Sequence, residues 1–142
     1  MDLFDRWPTP QELAEADVSE IENLIRPLGL ISRATRIKAV AEAWIERGKP
    51  PCSSKELQDL PGVGTYSANA TAVAMSWDSE PCVDSVSIRV FRRYLGDQES
   101  DESDLHVASK VYSIIPKDQW RELNWAILDL AAKICMPRVP RC

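Results

Sequence analysis

Three short stretches hold residues whose types and spacing could do chemistry. LPGVGTY (60–66) sets two glycines around a valine, directly ahead of a run of small residues. Pro61 blocks continuation of a preceding helix, and Gly62 and Gly64 permit positive φ and leave no Cβ in the way of a partner. The next helix then starts with free N–H groups and its positive dipole end outward, an end that binds anions such as phosphate. A tight turn that needs glycine for packing alone is the competing reading. PCVDSVSIRVFRRYLG (81–96) puts Asp84 where a helix begins, either as a plain N-cap or as a carboxylate that helix-end amides keep ionised. ICMPRVPRC (134–142) carries Cys135 and Cys142, two of four cysteines. Without a basic leader segment, these read as free thiols or metal ligands before disulfides.

The elements that must position these residues read almost entirely as helix. Thr9-Pro10 is a cap followed by proline at the first helical position, opening a helix to about Ala16. Ser19 caps a second helix, and Gly29 lies past its end. Ser32 opens a longer one, with Ile37, Val40, Ala41, Trp44 and Ile45 on one stripe and Gly48 as its stop. Ser53 and Glu56 form a capping box for a short helix ending near Leu60. After the glycine turn come a small-residue helix to about Trp77 and a helix from Asp84 or Ser85, stopped by Gly96. The acidic run DQESDESD (97–104) is a loop; a helix from Ser103 to Ile115 and a last one over 117–134 follow. No segment alternates with period two for long enough to be a strand, so the fold class is all-α.

Composition frames what such an array can bind. The 142 residues carry 17 Lys and Arg against 22 Asp and Glu, a net charge of −5, which argues against nucleic acid if spread evenly. It is not even. Residues 1–22 and 97–104 hold twelve of the acids, while bases outnumber acids nine to seven over 33–94 and six to three over 105–142. A DNA-binding face is permitted. No apolar run reaches membrane length, and the expected setting is the cytoplasm, near the nucleoid if the source is prokaryotic.

Leu-Pro-Gly-Val-Gly, the Asp84 stretch and LNWAILDLAAKICMPRVPRC, in that order, resemble the helix-hairpin-helix (HhH-GPD) DNA glycosylases of the endonuclease III superfamily. Within it the chain is most similar to the mismatch branch, the MutY-type adenine glycosylases and the archaeal-type thymine glycosylases. The resemblance implies a partial six-helix barrel over 1–134, with its hairpin at about 54–77, and the start of an iron-sulfur loop at 135–142. It implies a monomer that binds double-stranded DNA at a mismatched or damaged base and takes part in base excision repair.

The resemblance also assigns roles. Gly62, Val63 and Gly64 grip a DNA phosphate through backbone amides, which needs no strongly basic protein. Asp84 is the catalytic aspartate, stabilising positive charge on the sugar as the N-glycosidic bond breaks. Tyr66 stands where bifunctional members carry a lysine that forms a Schiff base and nicks the strand. A phenol cannot do so, which makes the chain monofunctional. Tyrosine there resembles the thymine and uracil glycosylases; release of adenine opposite guanine or oxidised guanine is the alternative, and a non-catalytic DNA-binding fragment the rival from another class. Two residues past Asp84 the mismatch branch has asparagine, and this chain has Val86.

Cys135 and Cys142 match the first two ligands of a [4Fe–4S] cluster, which needs four thiolates and so a full-length form. Helices that carry base-reading residues in the family precede the matched region, so the chain reads as a piece of a larger glycosylase. Arg89, with Arg92 and Arg93, and Arg138, with Arg141, are candidate phosphate contacts. Cys52 and Cys82 read as buried or incidental, His106 as a surface residue, and Asp129 as structural. Trp44, Trp120 and Trp125 are expected in the core.

Overall fold

The computed structural model describes residues 3–77, 79–98 and 101–141. The chain divides into two compact units, Met1–Gly64 and Thr65–Cys142. The apolar side chains gather into separate clusters, and the division falls at the end of the glycine turn. All regular elements among the described residues are helical.

The first unit holds α1 (Leu3–Arg6), α2 (Pro10–Glu15), α3 (Val18–Ile25), α4 (Ala34–Arg47) and α5 (Ser54–Gln58). Thr9 caps α2 as expected, its Oγ1 accepting the Glu12 N–H while the Glu12 carboxylate accepts the Thr9 N–H. The start of α3 differs from expectation. Asp17, not Ser19, is the cap, because its short carboxylate already takes the Ser19 N–H at 2.8 Å. A 3₁₀ turn over Ile31–Arg33 leads into α4, and Gly48 ends it at φ 70°. The core is Trp7, Leu13, Ile21, Ile25, Ala34 and Ala41, with Ile21 and Ala34 fully buried. Trp44 is only half-buried: with Leu3, Phe4, Trp7 and Val40 it lines an apolar groove of about 590 Å³.

The Ser53–Glu56 pair forms half of the expected box. Ser53 Oγ accepts the Glu56 N–H, but the Glu56 carboxylate reaches past it to the Cys52 N–H at 2.8 Å and pairs with Arg47 at 2.8 Å. The Cys52 hydrogen bonds, then the neighbouring cations, hold the Glu56 carboxyl down to about 2. Its stabilisation is therefore present above the ordinary value near 4.5 and is lost as pH falls from there toward 2. Melting temperature measured between pH 5 and 2 should fall more for the wild type than for Glu56→Gln. Parallel curves for the two proteins would remove Glu56 from the acid limb.

The second unit holds α6 (Thr65–Ala74), α7 (Ser85–Leu95), α8 (Asp104–Ser113) and α9 (Trp120–Lys133). Helix α6 stops three residues short of the expected Trp77. Ser76 takes φ 58°, and the Trp77 N–H returns to the Ala72 carbonyl at 2.8 Å. A serine performing the turn usually given to glycine hid that end from the sequence. Ser103 caps α8, and Gly96 closes α7 at φ 70°. Within the acidic run, Glu99 and Ser100 lie outside the described residues.

Phe91, Val107, Tyr112 and Trp120 form the centre of this unit. Phe91 meets Tyr112 edge-on at 6.0 Å between ring centroids, and Tyr112 meets Trp120 at 4.8 Å. Aromatic pairs at such separations contribute beyond the area they bury. Trp120 is core as expected, but Trp125 is not. It stands 57% exposed with the Arg121 guanidinium 5.7 Å from its ring, because α9 turns the 120, 124, 127, 131 stripe inward and 125 away.

Candidate active site

The turn 60–64 belongs to the first unit. The Val63 N–H donates to the Leu60 carbonyl at 3.2 Å, and Gly62 takes φ 75°, a conformation that L side chains rarely adopt. A Cβ on Gly62 would also meet Arg36 Cδ at 3.1 Å. Gly64 differs from expectation: its φ is not positive, and a Cβ there would meet nothing within 4 Å. Its use is openness. Gly62 and Gly64 are exposed and Val63 half-buried, and α6 begins at the next residue, Thr65.

Asp84 lies in the second unit, at the end of an extended segment pinned from both sides. Asn69, buried on α6, donates its amide to the Pro81 carbonyl at 3.2 Å, and Cys82 is fully buried against the aromatic core. Asp84 then caps α7 with φ −143°, its Oδ1 accepting the Ser87 N–H at 2.7 Å. Ser87 Oγ accepts the Asp84 N–H at 3.0 Å in return. The cap engages one carboxylate oxygen, Oδ1, and the side chain stays partly exposed. Asp84 is the N-cap of α7, as one of its two sequence readings expects.

Tyr66, in the first turn of α6, is half-buried against the same core. Burial pushes its phenol up, the nearby Asp84 carboxylate and Cys82 push it further, and a hydrogen bond with the Asn124 side chain pulls it back. Asn124 comes from α9 and is itself buried. Helix α9 packs against both α6, which carries Tyr66, and α7, which Asp84 caps. The Cys82 thiol is fully buried in the cluster that holds Tyr112, and that burial pushes its pKa up. Val86 packs with Val90, Ala131 and Cys135, an apolar setting in which an amide would lack partners.

The arginines of α7 turn to the chain's own backbone. Arg89 Nε donates to the Cys135 carbonyl at 3.1 Å, and Arg93 donates to Cys135 Sγ at 3.2 Å, the Met136 carbonyl at 2.8 Å and the Pro137 carbonyl at 3.0 Å. Arg92 reaches the Glu102 carbonyl at 2.6 Å and the Asp104 carboxylate at 3.1 Å. With the Arg141 N–H on the Ile134 carbonyl at 2.9 Å, these bonds fold residues 134–141 against α7. Arg138 is exposed.

Cys135 is buried, and Cys142 lies outside the described residues. Among the described residues no three His, Cys, Asp or Glu side chains come together as a metal site. Nor do the other thiols fit a four-thiolate cluster. Cys82 is fully buried in the aromatic core, and Cys52 donates its thiol to Glu56, which raises its pKa. Cys52 is exposed, unlike a core cysteine. His106 is a surface residue 3.8 Å from Glu102, and Asp129 is exposed and 3.8 Å from Lys133.

Sequence reasoning missed Asn69 and Asn124. Each had a visible signal: a polar residue at a buried position of an apolar stripe.

Residues 1–117 match the model of the HhH-GPD superfamily base excision DNA repair proteins. A thymine-DNA glycosylase of Aeropyrum pernix is 39% identical over 99% of the chain and 67% of that protein. A thymine/uracil-DNA glycosylase of Pyrobaculum aerophilum is 35% identical over 99% of the chain and 65% of that protein. Endonuclease III in a non-covalent complex with DNA superposes with a TM-score of 0.80 at 30% identity, over 99% of the chain and 66% of that structure. The chain spans about two thirds of the length of these three proteins. No helix among the described residues is long and apolar enough to cross a membrane.

Proposed function

We propose, since the chain belongs to the HhH-GPD superfamily of base excision DNA repair proteins, that it is a monofunctional DNA glycosylase that releases a mismatched base. The favoured target is thymine or uracil opposite guanine, as the names of the two archaeal relatives suggest. The observation that carries this reading is the Asp84 carboxylate, capped on α7 through one oxygen, in the unit whose core also packs Tyr66, a phenol where a lyase would need an amine.

The chemistry follows from those groups. A duplex docks a phosphate on the amides around Gly62, Val63 and Gly64, and the target nucleotide leaves the stack. As the base departs, positive charge grows on the sugar. A preorganised carboxylate stabilises that charge and orients the water that replaces the base. Asp84 supplies the carboxylate. Tyr66 cannot form an imine with the opened sugar, so the strand keeps its backbone and the product is an abasic site. Exposed Arg138 is available to a phosphate. We place this chemistry on DNA in the cytoplasm, carried out by one copy of the chain.

A [4Fe–4S] cluster would take Cys135 and Cys142 as two of its ligands in a form supplying two further cysteines, and no step above passes through it. Substrate choice is tested by release of free base from duplexes with thymine or uracil opposite guanine and with adenine opposite guanine or oxidised guanine. Faster release of thymine and uracil, with no enzyme–DNA adduct trapped by borohydride, is the expected outcome. Preferred release of adenine, or a trapped adduct, would overturn this assignment.

A further inference from the structure

We infer that Arg36 is a phosphate-binding residue of the glycine turn: its guanidinium supplies the positive charge that the turn's own amides lack. The inference rests on the proposed glycosylase reading, in which a DNA phosphate docks on this turn, and deepens it by naming the side chain that completes the site.

The turn by itself is a weak anion site. Pro61 has no N–H, and the Val63 N–H is already spent on the Leu60 carbonyl at 3.2 Å. The Gly62 and Gly64 amides remain, with no acceptor among the described residues. Neutral donors leave the charge of a phosphate uncompensated, and a hydrogen bond from a cation is about twice as strong as a neutral one.

Arg36 stands where such a cation is needed. It lies in the first turn of α4, in the same unit as the glycine turn. A Cβ built on Gly62 would meet Cδ, Cγ and Cβ of Arg36 at 3.1, 3.3 and 3.4 Å. The arginine stem therefore fills the place of the side chain that Gly62 lacks, and the guanidinium begins at the next bond beyond Cδ. Gly62 serves the site twice, through its φ of 75° and through the room it leaves for Arg36.

The guanidinium is free to take a ligand. Arg36 is exposed and has no hydrogen-bond or ion-pair partner among the described residues. Its helical neighbours three and four places away, Ser32, Arg33, Ala39 and Val40, include no carboxylate. Arg6, Lys38 and Arg47 of the same unit are by contrast engaged, with Glu20, the Ala16 carbonyl and Glu56. An arginine seated by its stem with an unpaired head gives up little freedom on meeting an oxyanion.

The test is a fluorescence-anisotropy titration of labelled duplex across a salt series, on the 142-residue chain and its Arg36→Met variant. Methionine keeps an unbranched stem on Gly62 and suits a helix, while removing the charge. Arg36→Met should bind matched and mismatched duplexes about tenfold more weakly, since a phosphate contact carries no sequence information. The slope of log K against log salt should become shallower by about 0.9, the share of one phosphate on B-DNA. Arg36→Lys should restore that slope. Arg121→Met removes a cation paired with Glu122 in the second unit and should keep the wild-type slope.

An unchanged slope in Arg36→Met, or an equal loss of slope in Arg121→Met, would overturn the assignment. Weaker binding with the slope kept would mark a packing defect and overturn it as well. Should Arg36→Met fail to fold, Arg36→Gln decides by the same slope. A wild-type chain that binds no duplex would overturn the docking reading and this one together; wild-type binding with an unchanged slope in Arg36→Met overturns Arg36 alone.

Discussion

Asp84→Asn should lower the single-turnover rate of base release by about 10²–10³-fold while leaving mismatch binding intact. Removing one preorganised electrostatic interaction from a transition state has an effect of this size. The substitution is chosen for what it keeps. Asparagine caps helices about as well as aspartate, so the Ser87 N–H retains an acceptor and α7 its start. The backbone N–H of residue 84 still has Ser87 Oγ. Only the charge facing the developing sugar cation goes. A melting temperature within a few degrees of wild type would confirm that the cap survives. Asp84→Asn working at the wild-type rate would show that the carboxylate does no more than cap.

Gly64→Asp should weaken binding to matched and mismatched duplexes alike, by at least about tenfold. Two like charges about 4 Å apart repel by about 1 kcal/mol in water and about 4 kcal/mol near a protein surface, and about 1.4 kcal/mol is tenfold in affinity. Gly64 suits the experiment better than Gly62. Its φ is not positive and its Cβ would meet nothing, so the variant folds without the strain that φ 75° imposes at Gly62. Gly64→Ala is the companion, adding a methyl group without charge and therefore a smaller loss. Fluorescence anisotropy with labelled duplexes checks both. Unchanged affinity in Gly64→Asp would remove the phosphate from this turn.

Much of this arrangement was legible because local chemistry sets local structure. Thr9, Ser103, Gly48 and Gly96 mark helix ends by side-chain capping or by left-handed backbone, both short-range effects. Asp84 was readable for the same reason, since the residue that starts α7 is also the one the resemblance assigns to chemistry. What stayed hidden depends on interactions between distant residues. Nothing near position 89 says that its guanidinium bonds a carbonyl 46 residues later, or that Arg93 reaches that same terminal loop. The bond from the Asn69 amide on α6 to the Pro81 carbonyl likewise needs the packed second unit to exist. Ser76 and Asp17 were missed for a local reason: each fills a terminus position where another residue was the stronger candidate.

That this chain removes a base and leaves the strand unbroken is tested most directly by weighing the product. The 142-residue protein is incubated in excess over a duplex with one guanine–uracil mismatch, and the labelled strand is measured by mass spectrometry. The expected strand is lighter by one uracil less the one water that replaces it, and intact until alkali is added, with free uracil in equal amount. A strand of unchanged mass, or one already cleaved before alkali, would contradict base removal without strand scission.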